Sequence, residues 1–179
     1  WSRGLLEGGV DRAELPADPL HRALGAPALR LVRRGAVLVR IVLDPARQIV
    51  RFTSQTALPP GPGVLSVRFA GALAPSMHGI YLATDGVHRA ICTQCEATDA
   101  RAIFPCFDEP EFKAVLKWTL RTTPGLTALT NGQQKECSDG LSASGTAEQI
   151  VAFEPTKPVS SYLAAVAIGD FESSPEAHV

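Results

Sequence analysis

Gln94 and Glu96 are the pair of side chains whose types and spacing best suit ligand binding in this sequence. They lie two residues apart near the end of a predicted strand, so both side chains reach the same face of the sheet. A carboxylate beside an amide carbonyl offers acceptor oxygens to a cationic amine. On these residues alone the plainer interpretation, an exposed polar strand end, is favoured over an amine-binding site.

Cys92 and Cys95 form a C-x-x-C pattern, a spacing used by zinc sites and by redox disulfides. No second C-x-x-C and no suitably spaced histidine pair completes a set of four ligands. Residues three apart on a strand point to opposite faces, and a redox motif is expected at the start of a helix instead. Metal and redox chemistry are therefore disfavoured, and the four cysteines are predicted to be reduced thiols.

The sequence also lacks the motifs of a serine nucleophile (G-x-S-x-G) and of a phosphate-binding loop (G-x-x-x-x-G-K). Cys106 has no histidine near it in sequence and is interpreted as a buried structural thiol. Asp108 and Glu109 are adjacent, so their side chains diverge, and the prediction is that they cap a turn and do not share a proton. Asp99 and Arg101 are predicted to form an ion pair within a loop.

These residues must be positioned by a chain with strong β character. Short apolar segments with period-2 alternation recur about every ten residues, separated by turn signals, which is typical of an all-β sandwich. We predict an antiparallel, β-sandwich-like domain of roughly eight to ten strands. The predicted strands are 36–43, 49–54, 65–69, 79–83, 87–96, 112–122, 126–130, 149–153 and 161–171.

More local features complete this prediction. Asp85-Gly86 suits a type I′ hairpin turn, which needs positive φ at both central residues, and Asn131-Gly132 marks another turn. The polar stretch 135–145 is predicted to be a solvated loop. A short helix is predicted near 19–24. In the segment 112–122, Leu116, Trp118 and Leu120 are predicted to point inward.

The overall composition excludes several classes of protein. The chain has 179 residues with 45% hydrophobic and 20% charged residues, so it is long and apolar enough to fold. The net charge of -1 argues against a dedicated nucleic-acid binder. No apolar run approaches the roughly 18 residues that a membrane helix needs, and no signal peptide is visible. We expect a cytoplasmic protein that binds no nucleic acid and does not span a membrane.

The stretch 93–110, TQCEATDARAIFPCFDEP, closely resembles a signature of the zinc aminopeptidase family of the aminopeptidase N type. Other segments resemble that family in the same order: Gly79-Ile-Tyr before it, and FEPTKP at 153–158, SYL at 161–163 and GDF at 169–171 after it. The ordered matches cover roughly 58–171.

The resemblance implies that 36–179 is the β-sandwich N-terminal domain of such an enzyme, with 1–35 a truncated or divergent start. The family's catalytic motifs, G-x-M-E-N and H-E-x-x-H, do not occur in this sequence. The catalytic residues and the zinc are therefore expected in a further domain of a longer protein. This chain alone is expected to be inactive, with no metal site or cofactor of its own.

The resemblance also implies a role for the first pair of residues described above. Glu96 is expected to anchor the substrate α-amine, with Gln94 supporting it. The expected partners are the N-terminus of a peptide substrate and the protein's own catalytic domain. Two alternatives remain: a stand-alone β-sandwich binding module with no peptidase partner, and a redox or zinc protein that uses Cys92 and Cys95.

Overall fold

The computed structural model describes residues 38–54, 67, 69 and 71–172. Within these residues the chain forms eleven strands and two short 3₁₀-helices, Ala100–Ala102 and Ser161–Leu163. The strands are β1 (Leu38–Asp44), β2 (Ile49–Ser54), β3 (Gly79–Thr84), β4 (Arg89–Gln94), β5 (Lys113–Ala114), β6 (Thr119–Thr122), β7 (Thr127–Thr130), β8 (Gln134–Leu141), β9 (Ala147–Phe153), β10 (Val159–Ser160) and β11 (Val166–Gly169). In the described part of the chain, no helix has the length and apolar character needed to cross a bilayer.

The strands form four antiparallel sheets. The largest has four strands in the order β3-β4-β11-β7, and the next has three in the order β6-β9-β8. β1 pairs with β2 as a hairpin, and the short strands β5 and β10 pair with each other. Buried side chains from the two larger sheets meet in one hydrophobic cluster. The predicted all-β, antiparallel, sandwich-like fold is confirmed.

Alternation along the strands explains how this cluster forms. In β9 the buried apolar residues Val151 and Phe153 are two apart, as period-2 packing requires. The predicted inward positions of Leu116, Trp118 and Leu120 are confirmed, since all three are buried. In the described part of the chain, the buried residues of this core are Ile91, Cys95, Ala100, Leu116, Trp118, Leu120, Ala128, Val151, Phe153, Ala164, Val166 and Ile168.

The predicted strand 112–122 is divided into β5 and β6 in the structure. Between them, the N–H of Leu116 donates to the hydroxyl of Thr156 at 3.0 Å, and the N–H of Thr156 donates to the Leu116 carbonyl at 2.9 Å. The opposing segment contains Pro155 and Pro158, which have no N–H to donate. The Thr156 hydroxyl therefore replaces a backbone acceptor at this point, and the backbone pairing between the two segments is interrupted.

The predicted loop 135–145 is wrong for most of its length, because β8 occupies Gln134–Leu141. Among the strands that the structure describes, β8 lies at the edge of the three-stranded sheet and pairs only with β9. Seven of its eight residues are exposed, the exception being Gly140. Both faces of this edge strand therefore carry polar residues, so the alternation that identifies a half-buried strand is missing.

The predicted type I′ turn at Asp85-Gly86 is also wrong. β3 and β4 are joined by four residues, 85–88, and Gly86 has a positive φ of 96° whereas Asp85 does not. The Asp85 carboxylate accepts hydrogen bonds from the backbone N–H groups of Val87 and His88, at 3.1 and 2.8 Å. This side-chain-to-backbone bonding stabilises a longer turn.

The predicted strand 161–171 begins instead as the 3₁₀-helix Ser161–Leu163, and β11 follows at Val166–Gly169. The predicted helix near 19–24 and the region 1–35 lie outside the described residues. Of the predicted strand 65–69, only Val67 and Phe69 are described, and neither is in a strand.

Candidate functional site

Gln94 is the last residue of β4, and Glu96 follows two residues later. Both are exposed, while Cys95 between them is 1% exposed. The backbone N–H of Glu96 donates to the side-chain oxygen of Gln94 at 3.3 Å. Among the residues that the structure describes, none donates a hydrogen bond to the Glu96 carboxylate. Within the described part of the chain, the Glu96 carboxylate therefore has no partner, while its backbone is held by the neighbouring amide.

Cys95 fixes the backbone between these two polar residues. Its thiol donates to the carbonyl of Ala164 at 3.4 Å, just after the second 3₁₀-helix. Two residues earlier, the Thr93 hydroxyl accepts a hydrogen bond from the N–H of Val166 at 2.9 Å. Burial, with a smaller contribution from the charges of Asp108 and Asp99, raises the pKa of the Cys95 thiol to about 11. The thiol is therefore neutral and keeps its proton for the hydrogen bond to Ala164.

The chain turns sharply after Glu96. The bond between Glu96 and Ala97 is a cis peptide. The N–H of Asp99 then donates to the Cys95 carbonyl at 2.9 Å, and the first 3₁₀-helix, Ala100–Ala102, begins at the next residue. This helix packs closely on Gly79 of β3, where an added Cβ would lie 2.9 Å from the Ala102 Cβ. Glycine at that position allows the helix to approach the strand.

The predicted ion pair between Asp99 and Arg101 is wrong. Asp99 lies 3.0 Å from the Nδ1 of His78, and Arg101 instead pairs with Asp108 at 2.9 Å. A 3₁₀-helix has about three residues per turn, so side chains two residues apart point in different directions. This geometry sends Asp99 and Arg101 to separate partners.

Asp108, predicted only to cap a turn, is a buried carboxylate with partners on two segments. Its side chain is 3% exposed. It accepts hydrogen bonds from the backbone N–H of Arg101 at 3.1 Å, from the Arg101 Nε at 2.9 Å and from the Ser161 hydroxyl at 2.7 Å. Arg101 Nη2 also donates to the Asp108 carbonyl at 3.2 Å. Asp108 thus joins the first 3₁₀-helix to the second.

These contacts decide the ionisation of Asp108. Burial by itself would raise the pKa of this carboxyl, but the hydrogen bonds from Ser161 and Arg101 and the Arg101 charge outweigh it, so the pKa is lowered. Asp108 is therefore an ionised carboxylate at neutral pH. Sequence reasoning missed this residue because Ser161 lies 53 positions away.

The thiols do not support metal or redox chemistry here. Cys106 is half-buried and packs against the core, and burial raises its pKa to about 12. All four cysteines are free. Cys92 is half-buried on β4 and Cys95 is in the core, so the C-x-x-C pair is divided between environments. The described residues contain no cluster of three or more histidine, cysteine, aspartate or glutamate side chains that could hold a metal ion.

Comparison of the sequence with known proteins shows which family this chain resembles. The family model "Peptidase M1 N-terminal domain" matches residues 33–163, well over half of the chain. Aminopeptidase M1-A of Oryza sativa subsp. japonica is 39% identical over 129 residues, which is 69% of this chain and 14% of that protein. Probable M1 family aminopeptidase 1 of Encephalitozoon cuniculi is 33% identical over 173 residues, 89% of this chain and 19% of that protein.

A mouse protein is likewise similar to most of this chain over a small part of its own length. Aminopeptidase Q of Mus musculus is 33% identical over 150 residues, which is 78% of this chain and 27% of that protein. The chain therefore spans about a quarter or less of the length of these relatives, and the part that matches contains β4, Gln94 and Glu96. This chain belongs to the M1 peptidase family, of which it carries the N-terminal domain.

Proposed function

We propose that this chain is the non-catalytic N-terminal domain of a zinc-dependent aminopeptidase, an enzyme that removes N-terminal amino acids from peptides. In this proposal Glu96, supported by Gln94, receives the α-ammonium group of the substrate. The observation that carries it is the exposed Glu96 carboxylate, which none of the described residues engages, although the backbone on both sides of it is held by hydrogen bonds.

The chemistry of an exopeptidase explains why such a group is needed. A free α-ammonium carries one positive charge that an internal peptide bond lacks. A carboxylate at a fixed distance from the scissile bond therefore selects chain ends, and the attraction strengthens when the substrate excludes water from the pair. A fixed backbone matters because a displaced carboxylate would shift the scissile bond away from the reacting groups.

The metal and the hydrolytic step belong to the remainder of the longer protein. The described residues contain no cluster that could hold zinc. This domain would instead bind and orient the chain end of the substrate, so it is expected to be inactive by itself. A direct test is to assay the 179-residue chain with an alanyl chromogenic substrate and to measure its zinc content after dialysis against a chelator. Turnover or one retained zinc per chain would contradict the proposal.

The proposed partner within the same protein is the catalytic domain. Phe107 and Phe112 are exposed, and their rings contact each other with centroids 5.7 Å apart. Leu163, in the second 3₁₀-helix, is exposed as well. Exposed apolar side chains in the segments bonded to Asp108 suit a surface that another domain covers. Dye binding or self-association of the isolated chain would support this surface, and a dye-silent monomer at high concentration would count against it.

The decisive experiment substitutes Glu96 in the longer protein. Glu96→Ala should lower kcat/KM by an amount equivalent to about 2–4 kcal/mol, which lies within the range for truncating one partner of a buried charge pair between two binding partners. Glu96→Gln should lose less, because its amide oxygen still accepts a hydrogen bond. Zinc content should not change in either variant, because Glu96 is not a metal ligand in this proposal.

Glu136 provides a matched control, because it is an exposed glutamate on β8 in the other large sheet. Glu136→Ala should leave kcat/KM unchanged. If Glu96→Ala keeps kcat/KM within about twofold of wild type, a difference near 0.4 kcal/mol, the amine-anchoring role is wrong.

A further inference from the structure

The turn that carries Glu96 is closed by a ring of hydrogen bonds. On one side, the Cys95 thiol donates to the Ala164 carbonyl at 3.4 Å, and the Ala164 N–H donates to the Ser161 carbonyl at 2.9 Å. The Ser161 hydroxyl then donates to Asp108 at 2.7 Å. This set of contacts ties the residue before Glu96 to the second 3₁₀-helix and to Asp108.

The other side of the ring returns from Asp108 to the same turn. Asp108 accepts from the backbone N–H and the Nε of Arg101, at 3.1 and 2.9 Å. Arg101 is in the 3₁₀-helix whose Ala102 N–H donates to the Asp99 carbonyl at 3.1 Å. The Asp99 N–H donates to the Cys95 carbonyl at 2.9 Å, which closes the ring around Glu96.

We propose that Asp108 is a positioning residue for Glu96 and sets where the amine-binding carboxylate stands. The inference rests on the proposed function above and deepens it. Asp108 does not touch the substrate in this scheme, because its side chain is 3% exposed. It acts by joining two segments that contact the turn. It bonds the second 3₁₀-helix through Ser161 and the first 3₁₀-helix through Arg101.

The chemistry of the contacts explains why a carboxylate is required at this position. All three groups that approach the two oxygens of Asp108 are donors: a hydroxyl, a guanidinium and a backbone N–H. An ionised carboxylate only accepts, so it satisfies all of them at once. An asparagine side chain would keep one oxygen for Arg101 but lose the charge, and its NH₂ would stand where the Ser161 hydroxyl now donates, so that the hydroxyl would have to turn and accept instead. Because no β-ladder holds the residues after Glu96, weakening these contacts lets the two segments that Asp108 joins move apart.

The experiment is a double-mutant cycle in the longer protein, with Asp108→Asn and Glu96→Ala singly and together. Asp108→Asn alone should lower kcat/KM by about tenfold to a hundredfold, the size expected when a positioning group moves by roughly 1 Å. In the Glu96→Ala background, Asp108→Asn should change kcat/KM by less than about twofold, because the carboxylate it positions is gone.

A binding measurement separates positioning from a loss of folded protein. Alaninol, which has a free α-amine and no amide bond to hydrolyse, is the competitive inhibitor. A variant that only unfolds part of the sample lowers the apparent kcat and leaves the inhibition constant unchanged. A displaced Glu96 raises the inhibition constant, by about tenfold for Asp108→Asn. Glu148→Gln is the matched control, since it alters a second buried carboxylate–arginine pair, in the three-stranded sheet.

Each outcome decides between the proposals. Equal losses from Asp108→Asn in the presence and absence of Glu96 would overturn the positioning role and leave the proposed function standing. No effect of Glu96→Ala by itself would overturn the proposed function and this inference with it. If Asp108→Asn does not fold, Ser161→Ala decides instead, because it removes one 2.7 Å hydrogen bond and leaves the ion pair in place. An unchanged inhibition constant in that variant would contradict the inference.

Discussion

Two carboxylate–arginine pairs lie in regions of contrasting architecture. Asp108 and Arg101 pair between segments without regular ladder bonding, with side chains 3% and 32% exposed. Glu148 and Arg121 pair across the neighbouring strands β9 and β6, with side chains 10% and 38% exposed. The two pairs use the same chemistry. They differ in whether backbone hydrogen bonds already hold the elements that they join.

The comparison shows where side-chain hydrogen bonds must join two segments because no backbone hydrogen bonds of a β-ladder do so. β6 and β9 are held by antiparallel pairing along their length, so the Glu148–Arg121 pair adds a diagonal contact to strands that are already aligned. The chain that follows β4, from Glu96 to Asp108, has no such pairing, and Asp108 supplies bonds that join its first 3₁₀-helix to the second one. A region that must hold a binding group at one position without a ladder therefore depends on single buried polar groups.

Thiol reactivity should show the largest difference between the two regions. Burial raises the pKa of Cys106 to about 12 and that of Cys95 to about 11 in the site region, whereas Cys137 lies exposed on β8. Because only the thiolate reacts and Cys137 is exposed whereas Cys106 is half-buried, Cys137 should be alkylated far faster than Cys106 at pH 8. Mass spectrometry of peptides after timed iodoacetamide labelling measures this ratio. Comparable rates would mean that the site region opens readily.

Removing each carboxylate tests the comparison through stability. Asp108→Ala should lower the free energy of unfolding by about 3 kcal/mol, because Arg101 and Ser161 lose a buried acceptor. Glu148→Ala should cost only about 1 kcal/mol, because the backbone ladder between β6 and β9 still holds the two strands together. Urea unfolding of the 179-residue chain, followed by tryptophan fluorescence, measures both. Equal losses would remove the distinction between the two regions.

The same contrast explains which features were predictable from sequence. The burial of Cys95 between two exposed residues, and of Leu116, Trp118 and Leu120, follows from local alternation, which strands require. The strand β8 was missed because an edge strand with two polar faces has no such alternation. These are properties of a residue and its near neighbours in the chain.

The role of Asp108 is a property of the folded chain. Its partner Ser161 lies 53 residues away, and no period or spacing links them. Local reasoning paired Arg101 with the nearer Asp99, but the turn geometry of the 3₁₀-helix directs these side chains apart. The family resemblance, which is confirmed, indicated this segment as a whole and assigned a role to Glu96 and Gln94. It did not show what holds that segment in place.

Glycine substitutions sharpen the comparison at a smaller scale. Gly79 has a φ of +64°, and an added Cβ would lie 2.9 Å from the Ala102 Cβ, so Gly79→Ala combines backbone strain with a clash. Gly86 has a φ of +96° with nothing within 4 Å of an added Cβ, so Gly86→Ala carries strain alone. We expect losses of about 2 and 1 kcal/mol in urea unfolding. Equal losses of stability in Gly79→Ala and Gly86→Ala would show that the first 3₁₀-helix shifts freely away from β3.

Acidification should give the smallest effect, and its sign follows from the lowered pKa of Asp108. Burial opposes ionisation, but the bonds from Ser161 and Arg101 outweigh it, so the folded-state pKa lies below the ordinary aspartate value of about 3.9. The resulting stabilisation is fully present above that value and is lost as the pH falls through the folded-state pKa. The stability gap between wild type and Asp108→Asn should therefore be constant above about pH 5 and should narrow below about pH 4. Urea unfolding at a series of pH values measures this stability gap. Glu148→Gln is the control, because that variant keeps the wild-type contribution of Asp108. A gap that stays constant down to about pH 2 would mean that the Asp108 carboxylate contributes nothing through its charge.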